Sequence, residues 1–166
     1  MWFNLEPVQL NFMHYASTLY VVESDVALPR SDVWNAIVDA PGWSRWFPGV
    51  RSAAYRGAPP YGVGTVRIAD VGGFRMEETV LAWDEGTRWA YRIDRSTVPL
   101  AKAQLESTEL EDRGTGTRVR WSLAIEPGVL MTLARPFLRT TVERLLQRAM
   151  RNLERDVTAR RQDALP

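Results

Sequence analysis

The chain has 166 residues, 21 basic and 20 acidic side chains, a formal net charge of +1, no cysteine and one histidine. A chain of this length suits one domain with a substantial core. Without cysteine there can be no disulfide or thiolate metal site; with His14 as the lone imidazole neither a metal nor another cofactor is expected, and the near-zero charge predicts no nucleic-acid partner.

Residues 1–15 contain Glu6 and lack both a basic start and an unbroken apolar core, so they read as an N-terminal leader and not as a signal peptide. No later apolar run approaches the length of a membrane span. A cytoplasmic location is therefore expected, with membrane contact at most transient, and residues 16–162 are expected to form the single domain. His14, in the leader, reads as a surface or capping residue.

The segment TLYVVESDVAL alternates, with Tyr20, Val22, Ser24 and Val26 on one face and Glu23 and Asp25 on the other, as in a half-buried strand. Pro29 ends it. A short helix follows, with Ser31 as its expected N-cap and Val33, Trp34, Ile37 and Val38 at helical spacing, until Pro41 and Gly42 stop it. GWSRWFPGV, Gly42 to Val50, then packs two tryptophans and a phenylalanine into a stretch long enough only for another short helical turn.

Six strand-like runs separated by Gly-rich breaks come next, and the shortness of most breaks predicts sequential antiparallel hairpins. Alternation puts Trp89, Tyr91 and Ile93 inward on one strand and Val119, Trp121, Leu123 and Ile125 inward on another, leaving Arg88, Arg92, Arg118 and Arg120 in water. For FRMEETVLAW the parity is ambiguous: Phe74, Met76, Glu78, Val80 and Ala82 oppose Arg75, Glu77, Thr79, Leu81 and Trp83.

From Val129 onward, apolar residues recur every three or four positions and draw one stripe along a helix of about eight turns, with a kink expected at Arg135–Pro136. The same helix carries Arg135, Arg139, Arg144, Arg148, Arg151, Arg155, Arg160 and Arg161. Such a stripe reads either as a face for an anionic membrane or acidic partner or as a solvated face. All but one of the basic residues in the chain are arginine, a bias that favours the solvated face.

The order of these elements, with the motifs DVWNAIVDAPGWSRWFPGV, GVGTVR, EETVLAWDEGTRWAYRID, VPLAKA, GTRVRW and RAMRNLE, resembles the START-like (SRPBCC) superfamily, which includes the birch-pollen allergen family. Within it the chain is most similar to bacterial polyketide cyclase/dehydratase-type proteins. The resemblance implies an α+β helix-grip fold, in which a seven-stranded curved antiparallel sheet wraps a long C-terminal helix and two short helices follow the first strand. It also implies a cavity for a hydrophobic small molecule, lipid or polyketide-like, between sheet and helix, without implying one reaction.

On that resemblance Trp43, Trp46 and Phe47 close the cavity floor or are plain core, and Glu78 takes the inward parity, with Arg67 and Glu106 beside it. These three are the candidates for acid/base work in closing and dehydrating a polyketide; the alternative is a structural ion pair. The expected ligand-binding set is Tyr20, Trp46, Arg67, Glu78, Trp89, Tyr91, Glu106, Trp121, Phe137, Leu145, Leu146 and Met150. A small-molecule binder leads, a polyketide aromatase/cyclase is its rival, and a protein-interaction module using the arginine face is a weaker third reading. The segment before Pro136 is the expected entrance to the cavity.

Overall fold

A computed structural model describes residues 1–163, except for the side chains of residues 130 and 133–137. The strands are β1 (Phe3–Asn4), β2 (Thr18–Val26), β3 (Val50–Tyr55), β4 (Val66–Val71), β5 (Phe74–Asp84), β6 (Arg88–Ser96), β7 (Ala101–Arg113) and β8 (Gly116–Pro127). Two short helices, α1 (Arg30–Val38) and α2 (Trp43–Trp46), follow β2, and the long α3 (Val129–Asp163) ends the chain. The sheet order is β2-β8-β7-β6-β5-β4-β3, antiparallel throughout, as short hairpin connections dictate.

The sheet has eight strands instead of the seven expected, and the extra one comes from the leader. β6 and β7 pair only as far as Arg92 and Leu105 and then diverge, which leaves backbone groups of β6 without a neighbour. Those groups must find partners. Phe3 and Asn4 pair with Ser96 and Arg95, the Leu5 amide donates to the Asp94 carbonyl, and the Glu6 amide donates to the Lys102 carbonyl. Val8 and Phe12 then pack on the outer face of the sheet against Ala103, Leu105 and Ala124, forming a second, smaller core.

Two local expectations need correction. Ser31 is not the cap of α1: Pro29 precedes the helix, and its carbonyl accepts the Asp32 and Val33 amides. Proline suits this position because it has no N–H to leave unpaired. On β5 the inward parity of Phe74, Met76, Glu78 and Val80 does not extend to Ala82. A bulge between Val80 and Ala82 brings Trp83 opposite Trp89, so that Trp83 turns inward against Trp34 and Tyr55, with ring centroids 6.0 and 5.9 Å away.

The principal core lies between the concave face of the sheet and the three helices. Leu146, Ala149, Met150, Leu153 and Val157 of α3 enter it at helical spacing, together with Trp34 and Ile37 of α1 and Trp43 and Trp46 of α2. The helix-grip architecture is thus the one the strand and helix periods require. The kink expected at Arg135–Pro136 and the entrance expected just before it concern side chains outside the described residues.

Candidate functional site

Core packing is complete along the second half of α3 but not along the first. There a cavity of about 350 Å³ opens between the helix and the sheet. Met131, Leu138, Val142 and Leu145, at helical spacing, form its α3 wall, and Phe74 and Met76 of β5 with Leu123 and Ile125 of β8 form the opposite side. Trp43 and Phe47, four residues apart and stacked with centroids separated by 5.2 Å, close one end.

At that end β4 and β5 place Arg67 opposite Glu78, and Arg67 Nε lies 2.5 Å from Glu78 Oε2 with both side chains almost wholly out of solvent. The guanidinium is enclosed by three rings: its central carbon is 4.2 Å from the ring centre of Trp43 and 4.7 Å from those of Trp89 and Tyr91. A cation held against aromatic faces and a carboxylate tolerates burial that an isolated charge would not. Arg67 Nη1 and Glu78 Oε1 have no hydrogen-bond partner among the described residues.

Burial opposes the charge on Arg67, but Glu78 and the nearby tyrosines more than offset it, so the guanidinium is held even more firmly protonated than usual. Burial pushes the Glu78 carboxyl above its ordinary value of 4.5, and Arg67 pulls the other way without cancelling the rise.

A second polar group sits beside this pair. Glu106 of β7 faces Tyr91 of β6 across the ladder. Its Oε1 accepts a hydrogen bond from Gln104 Nε2 and its Oε2 one from Trp121 Nε1, each at 3.0 Å, and the Tyr91 phenol lies beside the same carboxylate. Burial, followed by the charges of Glu106 and Glu78, pushes the Tyr91 phenol well above its ordinary value of 10.0. Tyr91 is therefore a hydrogen-bond donor and a weak acid near neutral pH.

Of the residues expected to bind ligand, Tyr20, Arg67, Glu78, Tyr91, Glu106 and Leu145 line the cavity. Trp46, Trp89, Trp121, Leu146 and Met150 do not. Trp46 is fully buried behind Trp43, Trp89 backs the Arg67 guanidinium, and Trp121 holds Glu106 from the side. Leu146 lies one position past Leu145 and so turns into the solid core, as does Met150. The side chain of Phe137 lies outside the described residues.

Sequence reasoning left Phe74, Met76, Leu138 and Val142 out of the site. The signal was present, since the first two share the parity of Glu78 and the last two share the stripe of Leu145. His14 is exposed on the outer face of the protein, remote from this chemistry.

The arginines of α3 are partly spoken for. Arg139 pairs with Glu143, Arg160 with Asp156 and Arg161 with Asp32. Among the described residues no helix is long and apolar enough to cross a membrane.

Comparison with known proteins agrees with this architecture. An uncharacterised protein of Mycobacterium tuberculosis is 29% identical over 159 residues, covering 93% of each chain. Among solved structures, a START superfamily protein from Mycobacterium smegmatis superposes with a TM-score of 0.68 at 14% identity, over 85% of this chain and 97% of its own. The di-domain ARO/CYC BexL superposes with a TM-score of 0.64 at 16% identity, over 87% of this chain and 52% of its own. At such identities the two structural likenesses speak to the fold alone. The sequence pattern of the family described as polyketide cyclase/dehydrase and lipid transport matches residues 17–158, nearly the whole sheet and most of α3, and the chain belongs to that family.

Proposed function

We propose that the protein binds a hydrophobic small molecule, lipid or polyketide-like, in the cavity between the sheet and the first half of α3. The observation that carries this reading is the cavity itself: about 350 Å³ of space, walled chiefly by apolar side chains, with a few polar groups gathered at one end. Pockets that hold small ligands have this composition, and the volume is near the lower end of their usual range. A compact ring system or a short acyl chain suits it better than a long lipid. The residues proposed to touch ligand are Tyr20, Arg67, Glu78, Tyr91, Glu106 and Leu145.

The experiment is native mass spectrometry of the purified protein to look for a co-purified ligand, joined to titration with a neutral fluorescent dye. Saturable dye binding that is lost when Val142 is replaced by Trp, with the fold retained, supports the reading. Equal dye binding by wild type and Val142→Trp overturns it.

The second reading is a polyketide aromatase/cyclase, favoured by the placement of the Tyr91 phenol opposite Glu106 in the cavity wall. A phenol held protonated can give a proton to a carbonyl oxygen, and a neighbouring carboxylate can receive one. Turnover of a polyketide mimic that falls by orders of magnitude in Tyr91→Phe, while dye affinity stays within a few fold, supports the cyclase over the binder. In both readings the protein is a cytoplasmic domain that needs no metal or nucleic acid and touches membranes only in passing.

A further inference from the structure

Among the described residues the charge in the cavity wall is unbalanced: the charged lining there is one cation, Arg67, and two carboxylates, Glu78 and Glu106. Arg67 is paired through its Nε with Glu78 at 2.5 Å and is covered by the rings of Trp43, Trp89 and Tyr91. The Nη1 and Oε1 left without partners among the described residues belong to this one buried pair, whose charges offset each other. Glu106 forms no ion pair among the described residues; its hydrogen-bond partners there, Gln104 and Trp121, are neutral donors. A carboxylate offers about four lone-pair sites, so these two donors leave it the capacity for a further one from a ligand.

Glu106 is also the most accessible of the three. Arg67 and Glu78 are each only 1% exposed, whereas Glu106 is half-buried. A ligand entering an apolar space therefore meets a carboxylate first, with the neutralised pair behind it. In such surroundings a second anion beside Glu106 is repelled with little screening, while a donor fills a vacant lone pair.

We propose that the cavity selects ligands whose inner end is uncharged or cationic and donates a hydrogen bond, such as an alcohol, phenol or amine, with Glu106 as the acceptor, and that it turns carboxylates and phosphates away. This rests on the small-molecule-binding reading and narrows its ligand class: free fatty acids and other amphiphiles that enter with an anionic head are excluded, whatever their tails.

The test uses three ligands with one ring system, naphthalene methanol, naphthalene methylammonium and naphthoate, each displacing a neutral dye from the wild-type protein at neutral pH and moderate salt. The alcohol and the ammonium should compete at least about tenfold better than naphthoate, the discrimination of one hydrogen bond to a charged group. In Glu106→Gln, which can donate as well as accept, the gap between alcohol and naphthoate should shrink to roughly threefold or less, mainly through a gain by naphthoate.

Naphthoate competing as well as the alcohol in wild type overturns the selectivity and leaves the binding reading intact. A gap unchanged in a folded Glu106→Gln overturns Glu106 as its source. Dye that never binds, or that no ligand displaces, overturns both readings together. The wild-type comparison requires no variant, so a misfolded Glu106→Gln does not protect the proposal.

Discussion

Arg67 Nε sits 2.5 Å from Glu78 Oε2 on adjacent strands, and neither side chain reaches solvent. Removing one partner of such a pair leaves a buried charge without compensation, whereas removing both leaves only apolar surface to repack. Arg67→Met should thus lower stability by about 3–5 kcal/mol in urea denaturation, and Arg67→Met combined with Glu78→Leu should recover most of the loss. A double variant no more stable than the single one would show that Arg67 matters for its packing against the tryptophans and not for its charge.

The pH dependence follows from the raised Glu78 carboxyl. Its folded-state pKa lies above its ordinary value of 4.5, so within that window the folded protein binds the proton more tightly than the unfolded chain does. The contribution of Glu78 to stability is full below about 4.5 and is lost as pH rises toward the folded value. Urea midpoints of wild type relative to Glu78→Gln, compared from about pH 4 to pH 7, should fall with rising pH. A difference that grows instead would mean that Arg67 outweighs burial and holds the carboxyl down.

How far the sequence reveals the site depends on how long each periodic signal runs. β6 and β8 alternate over many residues, and Tyr91, Ile93, Trp121 and Leu123 face inward as their parity predicts. On β5 the pattern breaks at a bulge for which FRMEETVLAW has no glycine or other marker; parity is ambiguous there, and the resemblance that turns Glu78 inward carries Trp83 to the wrong face. One helical turn is too short to set a phase, so nothing in GWSRWFPGV says that Trp43 and Phe47 meet the cavity while Trp46 lies behind them. The stripe on α3 was legible as a stripe. Where cavity gives way to solid core, between Leu145 and Leu146, depends on how far α1 and α2 reach, which no local pattern encodes.

The leader adds a structural prediction. Phe12 is 3% exposed and packs with Val8 on Leu105 and Ala124, away from the cavity. Phe12→Ala removes a buried ring, at a typical cost of about 3–5 kcal/mol, and should lower the melting temperature while leaving dye affinity at low temperature unchanged. A variant that melts like wild type would mean that the leader detaches readily in solution and that residues 16–162 stand alone, as the sequence pattern suggests.

Gly128 joins β8 to α3, and its role is steric. Its amide donates to the Leu100 carbonyl at 2.9 Å, and a β-carbon there would stand 2.9 Å from that same oxygen and 3.2 Å from the Pro99 carbonyl oxygen. Both are backbone atoms of the β6–β7 connection, so neither can rotate away as a side chain would. Gly128→Ala must push that connection off the start of α3, and Leu100 and Met131, which line the cavity from the two segments, should separate. The expected result is a loss of about 1–3 kcal/mol in stability together with weaker dye binding. Gly62→Ala, whose added β-carbon meets nothing within 4 Å, is the control and should leave binding unchanged. If Gly128→Ala binds dye as wild type does despite its lowered melting temperature, the contact between the β6–β7 connection and α3 supports the fold without shaping the cavity.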